Sequence, residues 1–437
     1  MNIFSIDYIK EKWAHAGFQK YFQNTGWMFA SKILSMGVSF LATIYIARNL
    51  GPTNYGQLSY ALSFVGIFSF LASLGIDNIL YRDLISYPEK RKELLGSAFI
   101  VKIIAGIFTA ILISVVVISS SGSNDISKIL IIIISGTFIF NPFQIIGLEF
   151  QARVKSKYLS ITAFIVTIIL NALKVIAIFS GKGVLYLAMI LLLEPILYTI
   201  FYWFIYEKHT GEKITSWIFD KKIAFDLMRD SWPLMFSSVF AVIYSEIDQV
   251  LIKNMINTYS VGIYDSAVRV TEVFYFIPNI IIASLFPAII NAKITSRELY
   301  QKRLQKISLL LVCLAGLISI SLTLFAPFII KILYGDAFVG SVVILKIYTW
   351  SLIGTFLGAL IANYLIAENY RKISFFVNLI PMIVNVLFDI IWIPKYGIIG
   401  PAYATLIAYS LSPLILLFFT NTRKDLLKMF RTTKSHT

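Results

Sequence analysis

The stretch IIAGIFTAILISVVVISSSGSN, residues 103–124, carries no charged side chain. At about 1.5 Å of rise per residue, a helix of this length crosses a hydrocarbon core about 30 Å thick. Similar runs recur in both directions along the 437-residue chain, which is 58% hydrophobic and 14% charged. Reading outward gives spans near 24–48, 56–80, 94–118, 129–149, 158–180, 184–206, 231–253, 260–290, 307–333, 341–366, 373–393 and 398–420. A lipid-facing segment must satisfy its own backbone hydrogen bonds, so these runs are predicted helices. The expected fold class is an all-α polytopic membrane protein with about 12 transmembrane helices.

Charge sets the orientation. With the N-terminus on the cytoplasmic side, 27 of the 38 Lys and Arg fall in cytoplasmic segments and six in outer ones. Lys32, Lys102, Lys174, Arg269 and Lys346 are embedded in spans. Such a bias places both termini of a multi-pass membrane protein in the cytoplasm. The formal charge of +15 is therefore a topology signal, and no nucleic-acid partner is expected. Cys313 is the only cysteine, which excludes an internal disulfide, and His15, His209 and His436 all lie outside the apolar runs. Residues 1–23 read as a cytoplasmic amphipathic segment, with Ile6, Ile9, Trp13 and Tyr21 near helical spacing, or as a solvated tail.

The longest polar connection, 207–230, divides the chain into six-helix bundles at 24–206 and 231–420, followed by a basic tail at 421–437. An even number of spans per half gives both halves the same orientation, so a parallel pseudo-two-fold repeat is expected. At an offset of 206, Gly56 meets Gly262 and Ala61 meets Ala267; at 214, Asn171 meets Asn385 and Gly183 meets Gly397. Repeated bundles of this kind place substrate near the midplane and alternate access, which points to a transporter, not an enzyme.

Three motifs then carry a resemblance. ARNLGPTNYGQLSYA (47–61), GIDNILYRDL (75–84) and DQVLIKNM (248–255) with VGIYDSAVRV (261–270) resemble the oligosaccharide flippases of O-antigen type within the multidrug/oligosaccharidyl-lipid/polysaccharide exporter superfamily. The resemblance implies translocation of undecaprenyl-pyrophosphate-linked repeat units, with lipid-linked oligosaccharide, membrane lipids and other polysaccharide-assembly membrane proteins as partners. It also implies a role in polysaccharide or lipopolysaccharide biosynthesis and a place in the bacterial cytoplasmic (inner) membrane. Fold alone does not fix function, so a multidrug or organic-cation exporter, a membrane polysaccharide polymerase and a glycosyltransferase stay open as alternatives. The short outer loops weigh against a polymerase.

Embedded polar residues mark candidate sites, because a charge at the bilayer centre costs about 2.5–3.5 kcal/mol on insertion scales. At about 100° per residue, Lys32, Ser35, Ser39 and Thr43 share one face, as do Thr167, Asn171 and Lys174. Lys32 and Lys174 are candidates for an anionic head group in a lumen, or Lys32 snorkels to the surface as Lys102 is expected to do. Arg269 is a third candidate, although Asp265 and Glu272 share its face and can close a structural triad. Arg48 is either an exit-side contact or simply exposed.

In span seven, Glu246 lies about 160° from Asp248, so the two cannot line one cavity. Asp248 shares its face with Ala241, Tyr244 and Ser245, whereas Glu246 must face another helix or lipid. Asn385, Asp389 and Thr405 offer oxygen partners for Asp248, which suits Na+ or a shared proton; otherwise Asp389 is solvated. Resemblance to lipid II flippases, with a sodium site on spans seven, eleven and twelve, implies the same set. No resident cofactor is expected, only Na+ or H+ as a coupling ion.

Overall fold

A computed structural model describes residues 16–120, 125–420 and 422–423. The expected amphipathic segment and basic tail fall largely outside these residues. In chain order the helices are α1 (Ala16–Ile67), α2 (Ser69–Ser73), α3 (Ile76–Ser86), α4 (Arg91–Ser119), α5 (Ile126–Ser135), α6 (Thr137–Phe140), α7 (Ile145–Ala152), α8 (Lys157–Phe179) and α9 (Val184–Thr210). They continue with α10 (Lys221–Met255), α11 (Thr258–Glu272), α12 (Phe276–Thr295), α13 (Arg297–Leu333), α14 (Ser341–Tyr348), α15 (Ser351–Ala367), α16 (Arg371–Tyr396) and α17 (Ile399–Leu414).

The protein is a polytopic helical membrane protein. Among the described residues, nine helical stretches are long and apolar enough to cross a membrane, and the bent pair α14 and α15 makes a tenth. The expected first span and the first half of the second run through one element, α1, broken at Gly51, whose φ of 72° no β-carbon-bearing residue adopts readily and which precedes Pro52; the rest of the second span lies in α2 and α3. The expected seventh span lies within α10, which is outside the nine.

The described residues pack as two units. The first contains residues up to Ile46 together with Phe68–Phe236; the second contains Ala47–Ile67 together with the chain from Ser237 onward. Residues 47–67, counted by sequence with the first bundle, thus pack with the second. In the first unit, Ile76, Leu80, Leu84, Leu95, Ile145 and Phe150 form a buried core. The 207–230 connection is shorter than its sequence suggests, because α9 runs to Thr210 and α10 starts at Lys221. Its middle is strapped down: Ile218 N donates to Lys92 O at 3.2 Å, and Ser97 Oγ donates to Asp220 O at 3.1 Å. Beneath it Glu149, fully buried at the end of α7, accepts from Arg153 and lies 3.6 Å from Arg91 Nε.

In the second unit the start of α11 is capped by Asn257, whose side chain accepts from Ser260 N at 2.9 Å. Here α11 crosses the 52–67 part of α1 with almost no space between backbones. A β-carbon on Gly56 would stand 1.8 Å from Thr258 O, and one on Gly262 2.0 Å from Pro52 O. These two glycines are the pair matched by the 206-residue offset.

Candidate functional site

Within the first unit, the polar stripes of spans one and five meet. Asn171 Nδ2 donates to Ser39 Oγ at 3.2 Å and to Thr167 O at 2.8 Å. Lys174 lies one turn further along α8, half-buried and in the field of Glu194 on α9. Glu194 is a functional candidate that the sequence reading passed over. Its signal was available: it is the single charged residue between 184 and 206, followed directly by Pro195. Lys32 is exposed on α1. Lys102 departs from expectation. It is buried and donates to Asp77, because an acid within its reach outweighs the longer path to the surface.

In the second unit, the two acids of span seven anchor two separate networks. Asp248 is buried, and its Oδ2 accepts from Thr405 Oγ1 at 2.7 Å and from the Tyr264 hydroxyl. Asn385 Nδ2 approaches Thr405 Oγ1 at 3.4 Å. The carboxyl of Asp389, fully buried, lies within hydrogen-bonding reach of Asp248. Among the described residues, no donor reaches Asp248 Oδ1, Asn385 Oδ1 or either oxygen of Asp389. Asp389 is therefore not solvated. Two neighbouring carboxyls with four open oxygens around them are complete only with a proton or a cation between them. Among the described residues no three His, Cys, Asp or Glu come together as a metal cluster. Spans seven, eleven and twelve supply Asp248, Asn385, Asp389 and Thr405 as expected from sequence; Tyr264 joins them from α11.

Glu246 points the other way. Its side chain packs against Gly66, where a β-carbon would stand 3.5 Å from the carboxyl, and it shares the surroundings of Arg269, Glu272 and Asp265. Asp265 is the buried hub of this second network. Its Oδ2 accepts from the Tyr55 hydroxyl at 2.7 Å and from Ser59 Oγ at 2.9 Å, and Gln249 Nε2 approaches Oδ1 at 3.4 Å. Arg269 closes the expected triad, with Nε 3.4 Å from Asp265 and Nη1 donating to Glu272 at 3.0 Å. Its guanidinium is thus engaged by two carboxylates. Arg48 donates from Nη1 to Ile332 O at 3.1 Å, a cation on the last turn of α13.

The model of the family described as polysaccharide biosynthesis protein matches residues 21–293. The chain is 23% identical over 386 residues to the capsular polysaccharide biosynthesis protein CapF of Staphylococcus aureus, covering 87% of this chain and 94% of that one. It is 24% identical over 404 residues to the probable low-salt glycan biosynthesis flippase Agl15 of Haloferax volcanii, covering 89% and 81%. Among solved structures, the lipid II flippase MurJ in an inward closed conformation aligns with a TM-score of 0.71 at 20% identity, over 93% of this chain and 90% of that one. An inward-facing multidrug resistance transporter of the MATE family and MOP superfamily aligns with a TM-score of 0.69 at 14% identity, over 91% and 96%.

Proposed function

The chain belongs to the polysaccharide biosynthesis protein family, and from that premise we propose that it flips undecaprenyl-pyrophosphate-linked oligosaccharide repeat units from the cytoplasmic to the outer leaflet. It is a membrane transporter of the lipid-linked glycan flippase class and not an enzyme. In this reading both termini are cytoplasmic, twelve spans form two bundles related by a pseudo-two-fold axis, and access alternates between the two sides of a bacterial inner membrane.

The observation that carries the reading is the polar seam of the first unit. A lipid-linked pyrophosphate must leave water to cross, and its charge then needs cations and donors held inside the spans. Lys174 lies one turn beyond the Asn171–Ser39 contact, and Lys32 lies on the Ser39 face of α1. Arg269 and Arg48 hold structural partners and contribute less. The Asp248–Asp389 pair holds the coupling ion, Na+ or H+, between oxygens of α10, α16 and α17.

Deleting the gene tests the function. Lipid-linked repeat units should accumulate on the cytoplasmic face and surface polysaccharide should fall. Undiminished surface polysaccharide in a strain without a second flippase would refute it. A multidrug or organic-cation exporter is the second reading, favoured by the acids of the second unit. Competition by organic cations for the purified protein would select it.

A further inference from the structure

Five tyrosines of the second unit stand together near mid-span, and the ion site uses one of them. Tyr264 donates to Asp248, and its ring meets that of Tyr348 edge-on at 6.1 Å. The hydroxyls of Tyr348 and Tyr275 lie 3.4 Å apart. On α10 and α17, Tyr244 and Tyr409 meet edge-to-face at 5.1 Å. Tyr264 and Tyr348 are buried, whereas Tyr244, Tyr275 and Tyr409 are half-buried. Arg269 and Glu272, paired with each other, are exposed by 36% and 31% beside them on α11.

The backbone is specialised here too. Tyr275 ends a 3-10 turn, Val273–Tyr275, that interrupts the membrane-length segment Thr258–Phe286 between α11 and α12. A mid-helix 3-10 stretch often marks a functional hinge or a sequence under strain. Gly354 makes the approach of α15 to Tyr409 possible, since a β-carbon there would stand 2.4 Å from Tyr409 O. The tyrosines are therefore placed by close helix packing.

The chemistry selects a ligand class. A hydrocarbon chain offers no hydrogen bond to tyrosine hydroxyls and gains nothing from them. A pyrophosphate needs net positive charge, and here Asp265, Glu272 and Glu246 surround the one guanidinium of Arg269. What fits is a neutral polar ring: an apolar face to lie on tyrosine, and hydroxyls to exchange hydrogen bonds with tyrosine and with the Arg269–Glu272 pair. We propose that Tyr244, Tyr275 and Tyr409 form a carbohydrate-binding platform that contacts the sugar rings of the cargo. The proposal rests on the flippase reading and deepens it: the second unit holds the glycan next to the ion site, with Tyr264 and Tyr348 between them.

The test compares two probes on the full-length protein in nanodiscs: sugar-free undecaprenyl pyrophosphate, and the lipid-linked glycan extracted from cells lacking this gene. The wild type should bind the glycan lipid more tightly. Tyr244→Ala, Tyr275→Ala and Tyr409→Ala should each weaken binding of the glycan lipid by about three- to tenfold, with sugar-free lipid unaffected. Tyr275→Phe and Tyr409→Phe keep the ring and the packing, and should lose a smaller part of the sugar-dependent gain at an unchanged melting temperature. If the alanine variants do not fold, the phenylalanine variants decide alone. An undiminished sugar-dependent gain in them overturns the platform. Equal binding of both lipids by the wild type overturns the platform and leaves the flippase reading standing. Binding of neither lipid overturns both.

Discussion

Replacing Gly262 with alanine puts the helix crossing in the second unit to a quantitative test. The new β-carbon would stand 2.0 Å from Pro52 O and 2.8 Å from Pro52 C, both main-chain atoms that no rotamer change can move. Ordinary contact begins at 3.4 Å, so the two backbones must part by about 1.4 Å at that point. The hydrogen bonds from Tyr55 and Ser59 to Asp265, now 2.7 and 2.9 Å, span the same crossing and would stretch to about 4 Å, beyond useful length. Each such bond to a charged acceptor contributes about 1.5–3 kcal/mol. Partial relaxation of the helices recovers some of this, leaving an expected loss of about 2–4 kcal/mol, at the upper end for an overpacked site. Thermal unfolding of the purified protein, followed by tryptophan fluorescence, reads it as a melting point lowered by several degrees. Gly316→Ala on α13 is the control. Nothing lies within 4 Å of its β-carbon, so it should gain up to about 1 kcal/mol of helix propensity. Equal melting points for the two variants would refute the crossing, and with it the pairing of Asp265 to residues 55 and 59.

Three further outcomes are expected. Asp248→Asn with Asp389→Asn should abolish the dependence of transport on a Na+ or proton gradient in proteoliposomes while leaving binding of the pyrophosphate lipid intact; unchanged gradient dependence would remove the pair from coupling. Lys174→Gln should weaken binding of sugar-free undecaprenyl pyrophosphate by about tenfold, the value of one charge-assisted hydrogen bond, measured by titration in nanodiscs; an unchanged affinity would move the anion elsewhere. Arg153→Ala should destabilise the first unit by about 1–3 kcal/mol because it removes the hydrogen-bonding donor of a fully buried carboxylate and leaves it only Arg91 at 3.6 Å, and adding Glu149→Gln should restore part of the melting temperature.

The class of the fold was legible because a charge-free helix-length run has one solution in lipid, and the chain contains many. Face geometry also carried far. Spacings of four and three placed Asp265, Arg269 and Glu272 together, and the same arithmetic put Asn171 and Lys174 on one face and separated Asp248 from Glu246. What it could not supply was the identity of the neighbouring helix. Nothing local to Tyr264 says that its hydroxyl reaches Asp248, since that depends on how α10 and α11 pack after a two-residue turn. Lys102 was misplaced for a related reason. A lysine near a helix end reads as a snorkelling residue unless the acid it turns toward is known, and Asp77 is 25 residues away in sequence. The expected twelve spans were counted as separate runs, whereas α1 carries the first and half of the second through the bend at Gly51. Membership of residues 47–67 was hidden because sequence order suggests the first bundle, and only the Gly56–Gly262 approach reveals the second.

That approach gives the two acids of span seven a common logic. Gln249, next to Asp248, reaches toward Asp265, so a single turn of α10 touches both networks. One network closes on α16 and α17 and is incomplete without an ion; the other closes on α11 and residues 55–66. A proton or cation entering between Asp248 and Asp389 changes the charge felt by α10 at Asp248, one residue from the glutamine that faces Asp265. A helix is rigid over so short a distance, and a displacement at Asp248 must be shared by Gln249 and Glu246. The 47–66 segment is held to α11 by hydrogen bonds to one carboxylate and by a glycine crossing that tolerates no intervening methyl. Its attachment is therefore sensitive to small shifts of α10, and because Asp248 and Glu246 lie on opposite faces of that one helix, the proposed ion site at Asp248 would have mechanical access to that attachment on the other face.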